Sequence, residues 1–252
     1  MNTLNLDTLK SRLDAQRPLP PEVVKNLRED LALRWTYNSN AIEGNTLTLQ
    51  ETKVVLEGVT VGGKSIAEHL EATNHAHAIN LVYALVEQGD PLDVRTIKEI
   101  HSLILKGIDD RNAGVFRTVN VTISGAEHVP PDFLNLQDEI DQFMDWYNGD
   151  GAELHVVERA ARVHVDFVKI HPFADGNGRT SRLLMNLELM KGGFPPVVFQ
   201  NSERLSYYEA LEAACVKLDY GPFLEMTERL VLDSFKPYWF ALGLDEDGQT
   251  KF

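Results

Sequence analysis

The sequence predicts a mostly α-helical protein that carries one β-hairpin. Over residues 156–170, apolar residues recur at steps of three and four, which places them on one buried face of a helix. Capping sequences and glycines stand where such segments begin and end. A single short run, residues 119–123, alternates apolar and polar residues as a strand does, and Ser124-Gly125 supplies a turn after it.

The first predicted helix runs from about Pro21 to Glu43, where Gly44 is a good C-terminal cap. Thr48 and Ser65 each begin a Ser/Thr-x-x-Glu capping box and therefore predict the starts of the next two helices. Beyond the segments discussed below, helices are expected over residues 49–57, 66–88, 93–106, 134–147 and 224–235.

The chain ends and the internal division of the chain are also predicted. Residues 1–20 and 243–252 are expected to be loosely held ends. We see no internal repeat and no long Pro/Gly/Ser linker. At 252 residues the chain can form one large domain, or a core with the C-terminal helices, residues 61–252, and an N-terminal helical arm, residues 1–60; we expect the second division.

Charge and cysteine content limit the classes of function. The chain has 24 Lys and Arg against 38 Asp and Glu, a formal net charge of −14, which argues against a nucleic-acid-binding groove. One cysteine excludes an intramolecular disulfide and favours a cytoplasmic location. The sequence shows no signal-like segment and no apolar run of about 18 residues, so no membrane partner is expected.

The chemistry of the chain is concentrated in residues 171–182. One helix stripe precedes them, formed by Val156, Ala160, Val163, Phe167 and Ile170. Pro172 disfavours the helical conformation for His171, so this helix should end with His171 on the rim. A second apolar helix face follows and stops at Gly192-Gly193. The sequence at 175–178 should be a tight loop that leads into a helix N-terminus, which is an anion-binding position.

The charged residues of this segment indicate a polyphosphate ligand. Arg179 and Arg182 share a helix face at an end where the dipole disfavours cations, so an anion should bridge them. Guanidinium groups suit phosphate oxygens. The imidazole of His171 can act as a base near neutral pH, and the carboxylate of Asp175 suits a Mg²⁺ ion that bridges phosphates. The alternative is a solvated loop with surface arginines.

This segment resembles the active-site motif of Fic-domain proteins, His-x-Phe-x-(Asp/Glu)-Gly-Asn-Gly-Arg-x-x-Arg, at every fixed position. The resemblance implies a Fic-type helical bundle that transfers AMP from ATP to a hydroxyl side chain of a target protein. The residues to which it gives roles are the general base His171, the Mg²⁺ ligand Asp175, and the phosphate-binding Gly176, Asn177, Gly178, Arg179 and Arg182. The family's toxin-type kinases carry Lys in place of Gly178, and this difference argues against phosphorylation here.

The end of the first predicted helix resembles the family's inhibitory motif, (Ser/Thr)-x-x-x-Glu-(Gly/Asn), with Ser39 and Glu43 at its fixed positions. Without the resemblance, Glu43 would be interpreted as a solvated surface acid. The resemblance implies that Glu43 pairs with Arg182 and blocks the seat of the γ-phosphate. Each of these charges lies at the end of a helix whose dipole disfavours it, so the pair would stabilise both.

Residues 118–131 resemble the Fic flap, a β-hairpin beside the active site. Family members dock the target segment on the flap by strand addition, which here would use Val121, Thr122 and Ile123. The alternative is an ordinary hairpin on a helical domain.

A helix around Tyr207 and Tyr208 is similar to one that lines the adenine pocket in related sequences. The two tyrosines are equally well interpreted as core aromatics. Some relatives have an Asn that contacts the base where this chain has Cys215, and a small buried apolar residue is the simpler interpretation of that cysteine.

The other histidines are not predicted to form a metal site. His69, His75 and His77 lie six and two positions apart and do not share a helix face, so they are interpreted as surface or capped residues. His101 and His164 are predicted to be structural.

Three functions follow from the resemblance. The first is an AMP transferase held inactive by Glu43, with ATP and Mg²⁺, possible self-modification and a possible homodimer. The second is removal of AMP from a modified protein, with Glu43 aligning a water molecule. The third is a non-catalytic nucleotide-binding or interaction module. The intact His171 and Asp175 argue against the third, because a binder needs no base at that position.

Overall fold

The computed structural model describes residues 3–245 and 248–249, and α-helices account for most of them. In chain order the helices are α1 (Thr3–Asp14), α2 (Pro21–Ile42), α3 (Leu49–Leu56), α4 (Ile66–Gln88), α5 (Val94–Leu105), α6 (Leu136–Asn148), α7 (Val156–Ile170), α8 (Asn177–Lys191), α9 (Arg204–Lys217), α10 (Gly221–Ser234) and α11 (Lys236–Leu242). The mostly helical class is confirmed. Within the described part of the chain, no helix has the length and apolar character needed to cross a membrane.

The two predicted capping boxes are present and fix the starts of α3 and α4. The amide of Glu51 donates to Thr48 Oγ1 at 3.2 Å, and the amide of Thr48 donates to Glu51 Oε2 at 2.7 Å. Ser65 and Glu68 form the same reciprocal pair, at 3.2 and 2.8 Å. Each box satisfies two backbone donors that the first turn of a helix would otherwise leave unpaired.

Helices α7 and α8 form a hairpin that lies between two hydrophobic cores. The first core joins α1, α9, α10 and α11 to one side of the hairpin, where Val165 and Met185 lie. The second core joins α4, α5 and α6 to the other side, where Phe167 and Leu184 lie. Because both helices are held from two sides, the loop between them, residues 171–176, has a fixed position.

The prediction of a loosely held N-terminus is wrong for its described residues. Helix α1 buries Leu6, Leu9 and Leu13, which are 0, 8 and 0% exposed, in the first core. These leucines are three and four residues apart, which is the spacing of one helix face. The pattern is short, and the helices predicted from the sequence do not include it. Of the predicted C-terminal end, residues 246, 247 and 250–252 lie outside the described residues.

The predicted β-hairpin at 118–131 is also wrong, because this segment forms no strand pairing. A turn is present at Gly125, which has φ +81°, and the amide of Ala126 donates to the carbonyl of Ile123 at 3.2 Å. The two limbs are joined through the side chain of Arg117, which donates to Val119 O at 3.1 Å and Pro131 O at 2.6 Å. Side-chain bonds take the place of a backbone ladder in this irregular segment, which we call the flap segment.

Candidate active site

His171 ends α7 in the left-handed conformation, with φ 51° and ψ 58°. Its amide donates to Phe167 O at 3.0 Å, and the carbonyl accepts from Arg117 Nε at 2.9 Å. A non-glycine residue in this region is uncommon and is held there by its surroundings. Here the following Pro172 and the bond from Arg117 hold His171 at the end of the helix, where the sequence predicts it.

The ring of His171 is oriented and kept uncharged near neutral pH. Its Nδ1 lies 3.3 Å from Val168 O, a distance that suits donation to the carbonyl and leaves Nε2 as the free acceptor. Burial lowers the pKa of His171, and the hydrogen bond to Val168 opposes this effect only in part. A neutral imidazole with a free Nε2 is the state that a general base requires.

The side chain of Asn177 closes the loop between the two helices. Its Oδ1 accepts from Phe173 N and its Nδ2 donates to Phe173 O, both at 2.9 Å. The ring of Phe173 stacks on His101 with a centroid distance of 3.5 Å. Because the Asn177 side chain is used in this way and is 2% exposed, only its backbone amide is left for a phosphate.

The loop is also held from α5 by His101, which fulfils the predicted structural role. His101 Nε2 lies 2.8 Å from Asp175 O, and its Nδ1 accepts from Gly114 N at 2.9 Å. Gly176 has φ +78° and lies against the same imidazole, where a Cβ would be 3.1 Å from Nε2. Both the conformation and the space at this position therefore favour glycine.

The N-terminus of α8 is open to a ligand. Gly176 is its N-cap, and among the described residues no side chain caps the first turn. The amides of the first turn therefore lack an intrahelical acceptor and face the same end as the positive helix dipole. A Cβ at Gly178 would collide with the carboxylate of Glu43. Glu43 thus lies directly over the turn where an anion would bind.

Glu43 and Arg182 form the expected ion pair. Glu43 follows the last residue of α2 as its C-cap, and its Oε1 accepts from Arg182 Nη2 at 2.7 Å. Ser39 holds the same guanidinium, because Nε donates to its Oγ at 3.0 Å and Nη2 donates to its carbonyl at 2.8 Å. The Arg182 side chain is 2% exposed and that of Glu43 is 33% exposed, so solvent can reach the carboxylate but not the cation.

Arg179 is less completely paired than Arg182. Its Nη1 lies 3.3 Å from Glu71 Oε1 and its Nη2 lies 3.5 Å from Asp175 Oδ2. The contact with Glu71 is close enough for an ion pair but lacks hydrogen-bond geometry, so Nε and Nη1 are buried without an acceptor in the described residues. Unpaired donors on a buried cation are costly, and an anionic ligand beside the open end of α8 would satisfy them.

Asp175 has one oxygen engaged and the other directed to solvent and Arg179. Oδ1 accepts from Gly176 N at 2.6 Å, while the side chain as a whole is 70% exposed. An exposed carboxylate beside an open helix N-terminus is chemically suited to Mg²⁺, which binds through one or two carboxylates together with substrate phosphates.

The two tyrosines of α9 occupy different environments. Tyr207 is 2% exposed, and its hydroxyl contacts Arg182 and His164. This enclosure argues against the predicted contact between Tyr207 and a nucleotide. Tyr208 is 37% exposed and donates to Ile42 O at 3.1 Å, beside Glu43, so a nucleotide contact at Tyr208 stays a prediction.

Cys215 is buried. It stands at the position where some relatives have an Asn that contacts the adenine base. The residue is 7% exposed, and burial raises the pKa of its thiol to about 12. The interpretation of Cys215 as a small buried apolar residue agrees with this environment.

The flap segment is held beside His171 from two helices. Glu212 of α9 accepts from the amides of Glu127 and His128 at 2.7 and 2.9 Å. His128 Nε2 lies 2.8 Å from Lys169 O on α7, two residues before His171. The predicted docking residues Val121, Thr122 and Ile123 lie on the first limb of this segment and are partly or fully exposed.

Several residues that shape the site had no signal in the sequence. Glu71, Arg117 and Glu212 each act on a residue far away in the chain. Their spacing carries no motif, so only the fold brings them to the site. His75 corrects another expectation, because it is fully buried, whereas His69 does cap a loop by accepting from Val61 N at 2.9 Å.

The fold and the site together define a class of helical protein in which a base, a carboxylate and two arginines surround one anion-binding helix end. The Fic/DOC family model matches residues 91–189. Among solved structures, Fic-1 from C. elegans has a TM-score of 0.84 at 31% identity, covering 94% of this chain and 72% of that chain. A Fic domain-containing signalling protein from Bacteroides thetaiotaomicron has a TM-score of 0.84 at 28% identity, covering 96 and 98% of the two chains. This chain belongs to the Fic/DOC family.

Curated relatives agree with this assignment. Protein adenylyltransferase Fic of Nematostella vectensis is 42% identical over 229 residues, which cover 89% of this chain and 53% of that protein. The protein of the same name from Aedes aegypti is 40% identical over 231 residues, which cover 86 and 46%. The chain therefore spans about half the length of the curated relatives it matches.

Proposed function

We propose that this chain is a protein adenylyltransferase, which moves AMP from ATP to a hydroxyl side chain of a target protein, and that Glu43 holds it inactive. The observation that carries the proposal is the arrangement around the N-terminus of α8. His171, Asp175 and both arginines converge there, and the carboxylate of Glu43 lies over the anion seat. The names of the curated relatives support the same activity.

The proposed reaction needs a base, which His171 provides. The hydroxyl of the target would donate to Nε2 and lose its proton there as its oxygen attacks the α-phosphorus of ATP. A bond between this oxygen and phosphorus forms, the bond to the β-phosphate oxygen breaks, and pyrophosphate leaves. Nδ1 stays bound to Val168 O throughout, so the ring keeps its orientation while Nε2 is protonated.

The phosphates of ATP would occupy the positive end of α8. The amides of its first turn and the unpaired donors of Arg179 can bind phosphate oxygens. Arg182 would take the γ-phosphate in place of Glu43. Asp175 fits Mg²⁺ by its exposed oxygen, and the ion, when bound, would neutralise charge on the leaving pyrophosphate. No group of three His, Cys, Asp or Glu suited to a metal occurs in the described residues, so substrate oxygens would complete the coordination.

Glu43 inhibits by occupying the γ-phosphate seat. ATP in the productive pose must displace its carboxylate from Arg182, so only a fraction of molecules would bind ATP productively. The carboxylate is one-third exposed and can leave without moving α2, whereas Arg182 is buried and stays. A target protein is proposed to reach His171 along the flap segment through Val121, Thr122 and Ile123. Self-modification at a Ser, Thr or Tyr, a homodimer and a cytoplasmic location are further parts of the proposal.

The test is a labelling time course with ATP labelled on the α-phosphate, for the wild type and Glu43→Gly. Label on protein should rise by about tenfold or more in the variant, because the competing carboxylate is gone. The variant should stay folded, with a stability loss of about 1–3 kcal/mol, since Arg182 keeps its bonds to Ser39 and Tyr207.

Two controls sharpen this experiment. Glu57→Gly makes the same change at the C-cap of α3, where the carboxylate lies near Lys53, and should label as the wild type does. Glu43→Gly combined with His171→Ala should not label, which ties the signal to this site. Equal labelling by the wild type and a folded Glu43→Gly would refute inhibition by Glu43, and no label from either would support a non-catalytic module.

A further inference from the structure

The guanidinium of Arg182 is hydrogen-bonded to two parts of the molecule. One is the end of α2 that carries Ser39 and Glu43, and the other is α9. Three of the Arg182 hydrogen bonds go to α2 and its C-cap, two of them to Ser39 and one to Glu43. The fourth goes to α9, where Nη1 donates to the hydroxyl of Tyr207 at 3.2 Å. When the Glu43 carboxylate leaves, Tyr207 is the contact that still fixes the guanidinium from outside α2.

The hydroxyl of Tyr207 has one proton, and its direction is decided by a second buried residue. The oxygen lies 3.0 Å from Nε2 of His164, which is 0% exposed. Since the oxygen accepts from Arg182, its own proton must go elsewhere, and Nε2 is the acceptor within reach. Ser181 also lies 3.2 Å from Nε2, but its hydroxyl donates to Gly178 O at 2.8 Å and has no second proton.

The hydrogen bonds from Arg182 to Tyr207 and from Tyr207 to His164 require a protonated phenol and a neutral imidazole, and burial favours both states. Burial, and then the charge of Arg182, lowers the pKa of His164 well below its usual value, so the imidazole is neutral. Burial raises the pKa of Tyr207, so the phenol keeps its proton. Nε2 then accepts and Nδ1 carries the hydrogen, although Nδ1 has no partner in the described residues. That unpaired donor is a cost which the bond to Tyr207 helps to offset.

The rings around this pair restrict its movement. The His164 ring lies 4.9 Å from Phe223 and 5.7 Å from Tyr207, and Tyr207 lies 4.9 Å from Phe199. The three rings around His164 belong to the first hydrophobic core, and His164 also lies 5.6 Å from Phe199. The hydroxyl of Tyr207 therefore cannot swing to another acceptor without repacking that core.

We propose that Tyr207 and His164 are positioning residues for the γ-phosphate-binding arginine: His164 takes the proton of Tyr207, and this turns the phenolic oxygen to Arg182 and keeps its guanidinium aimed at the phosphate seat after Glu43 has left. The inference rests on the proposed function, and it gives Tyr207 a different role from the adenine contact expected from the sequence.

The test is nucleotide binding in the Glu43→Gly background, measured by calorimetry. The probes are AMP and an ATP analogue with a methylene group between the α- and β-phosphates, which cannot transfer AMP. Tyr207→Phe keeps the ring but removes the acceptor. Its Kd for the ATP analogue should rise about tenfold, equivalent to about 1.4 kcal/mol, while its Kd for AMP stays within about twofold because AMP has no γ-phosphate.

Variants of His164 separate positioning from packing. His164→Leu removes the acceptor and should weaken binding of the ATP analogue as Tyr207→Phe does. His164→Gln places an amide oxygen near the position of Nε2 and should restore most of the affinity. The double variant Tyr207→Phe/His164→Leu should bind no more weakly than Tyr207→Phe alone, since both changes break one chain of bonds. As a packing control, Phe223→Leu should lower the melting temperature without changing the ratio of the two Kd values.

Each outcome decides between the two proposals. If Glu43→Gly binds neither nucleotide, the proposed function fails and this inference fails with it. If Glu43→Gly binds both, and Tyr207→Phe leaves the ratio of the two Kd values unchanged, only the positioning role is overturned. Additive losses in the double variant would likewise overturn it, because independent effects would show that His164 does not act through Tyr207.

Discussion

His171, the proposed general base, shows how a helix end can fix the conformation of a single side chain. The residue leaves the helical conformation where Pro172 requires it, and its carbonyl is taken up by Arg117. Its Nδ1 is turned to Val168 O and its pKa is lowered by burial. Conformation, orientation and protonation state are therefore set before any ligand arrives, which is the condition for efficient general-base catalysis.

Replacing His171 by Ala should abolish labelling but leave ATP binding intact. The base acts on the attacking hydroxyl, so its loss should lower the rate by about 10²–10⁴ while the phosphate contacts at α8 persist. The measurement is a labelling assay in the Glu43→Gly background together with a binding isotherm for ATP. His155→Ala, at the opposite end of α7, is the matched control and should label normally. Full labelling by His171→Ala would exclude His171 as the base.

Asp175→Asn should lower transfer and remove its response to Mg²⁺. The amide keeps the size of the side chain and can still accept from Gly176 N, but a neutral oxygen binds Mg²⁺ weakly. Transfer in the Glu43→Gly background is measured against Mg²⁺ concentration, with a melting curve for each protein. Asp132→Asn, directly after the flap segment, serves as the control. A variant with an unchanged Mg²⁺ dependence would show that another group holds the ion.

At the scale of elements, the sequence predicts secondary structure correctly where residues close in the chain determine it. The prediction is wrong where side chains distant in the chain determine it. The bounds of α3 and α4 follow from capping boxes that involve residues three apart, so they could be predicted. The flap segment has the alternation of a strand, yet Arg117 and Glu212 bind its carbonyls and amides. The sequence of residues 118–131 does not indicate those partners. Pro130 and Pro131 have no backbone N–H to donate in strand pairing.

The same distinction applies within the candidate site. The motif from His171 to Arg182 could be recognised because one loop and one helix turn contain it. The orientation of Arg182 could not, because Ser39, Tyr207 and His164 come from three other helices. Their meeting depends on how α2, α7 and α9 surround α8, and the spacing of the residues does not reveal it.

Arg117→Met should loosen the flap segment and lower stability. Arg117 is 5% exposed and donates to three carbonyls, those of His171, Val119 and Pro131. Methionine fills similar space but leaves these acceptors unpaired, which should cost about 2–4 kcal/mol. Hydrogen exchange should quicken over residues 118–131, and transfer should fall because the carbonyl of His171 is no longer held.

The control for this change is Arg111→Met, since Arg111 is an exposed arginine in the preceding turn. It should change stability by no more than about 0.5 kcal/mol. Unchanged exchange in the flap segment of Arg117→Met would mean that Glu212 and His128 suffice to hold it.

At the scale of the whole molecule, two hydrophobic cores clamp the α7–α8 hairpin, and this arrangement buries imidazoles. His75 and His164 are 0% exposed, and burial lowers both pKa values well below 6.5. Burial lowers the pKa of His101 to about 4 and also lowers that of His171. The packing that fixes the loop between α7 and α8 therefore also favours the neutral form of these imidazoles in the folded protein.

Stability should consequently fall as the pH drops below 6.5. In that range the unfolded chain binds protons at these four imidazoles, whereas the folded chain keeps His75, His101 and His164 neutral and protonates His171 less readily, so acid favours unfolding. The effect fades over about one pH unit above 6.5, where both states become neutral. Each imidazole contributes up to about 1.4 kcal/mol per pH unit, so the free energy of unfolding should be about 4–5 kcal/mol lower at about pH 5.5 than at about pH 7.5. Urea unfolding across this range measures the change, and the interval from about pH 8 to about pH 9 is the internal control, where these imidazoles should contribute almost no slope. His164→Gln should reduce the acid slope by roughly one proton.

A flat profile between about pH 7 and about pH 5.5 would show that these histidines take up protons in the folded protein. The neutral state required of His164 and His171 would then not be maintained.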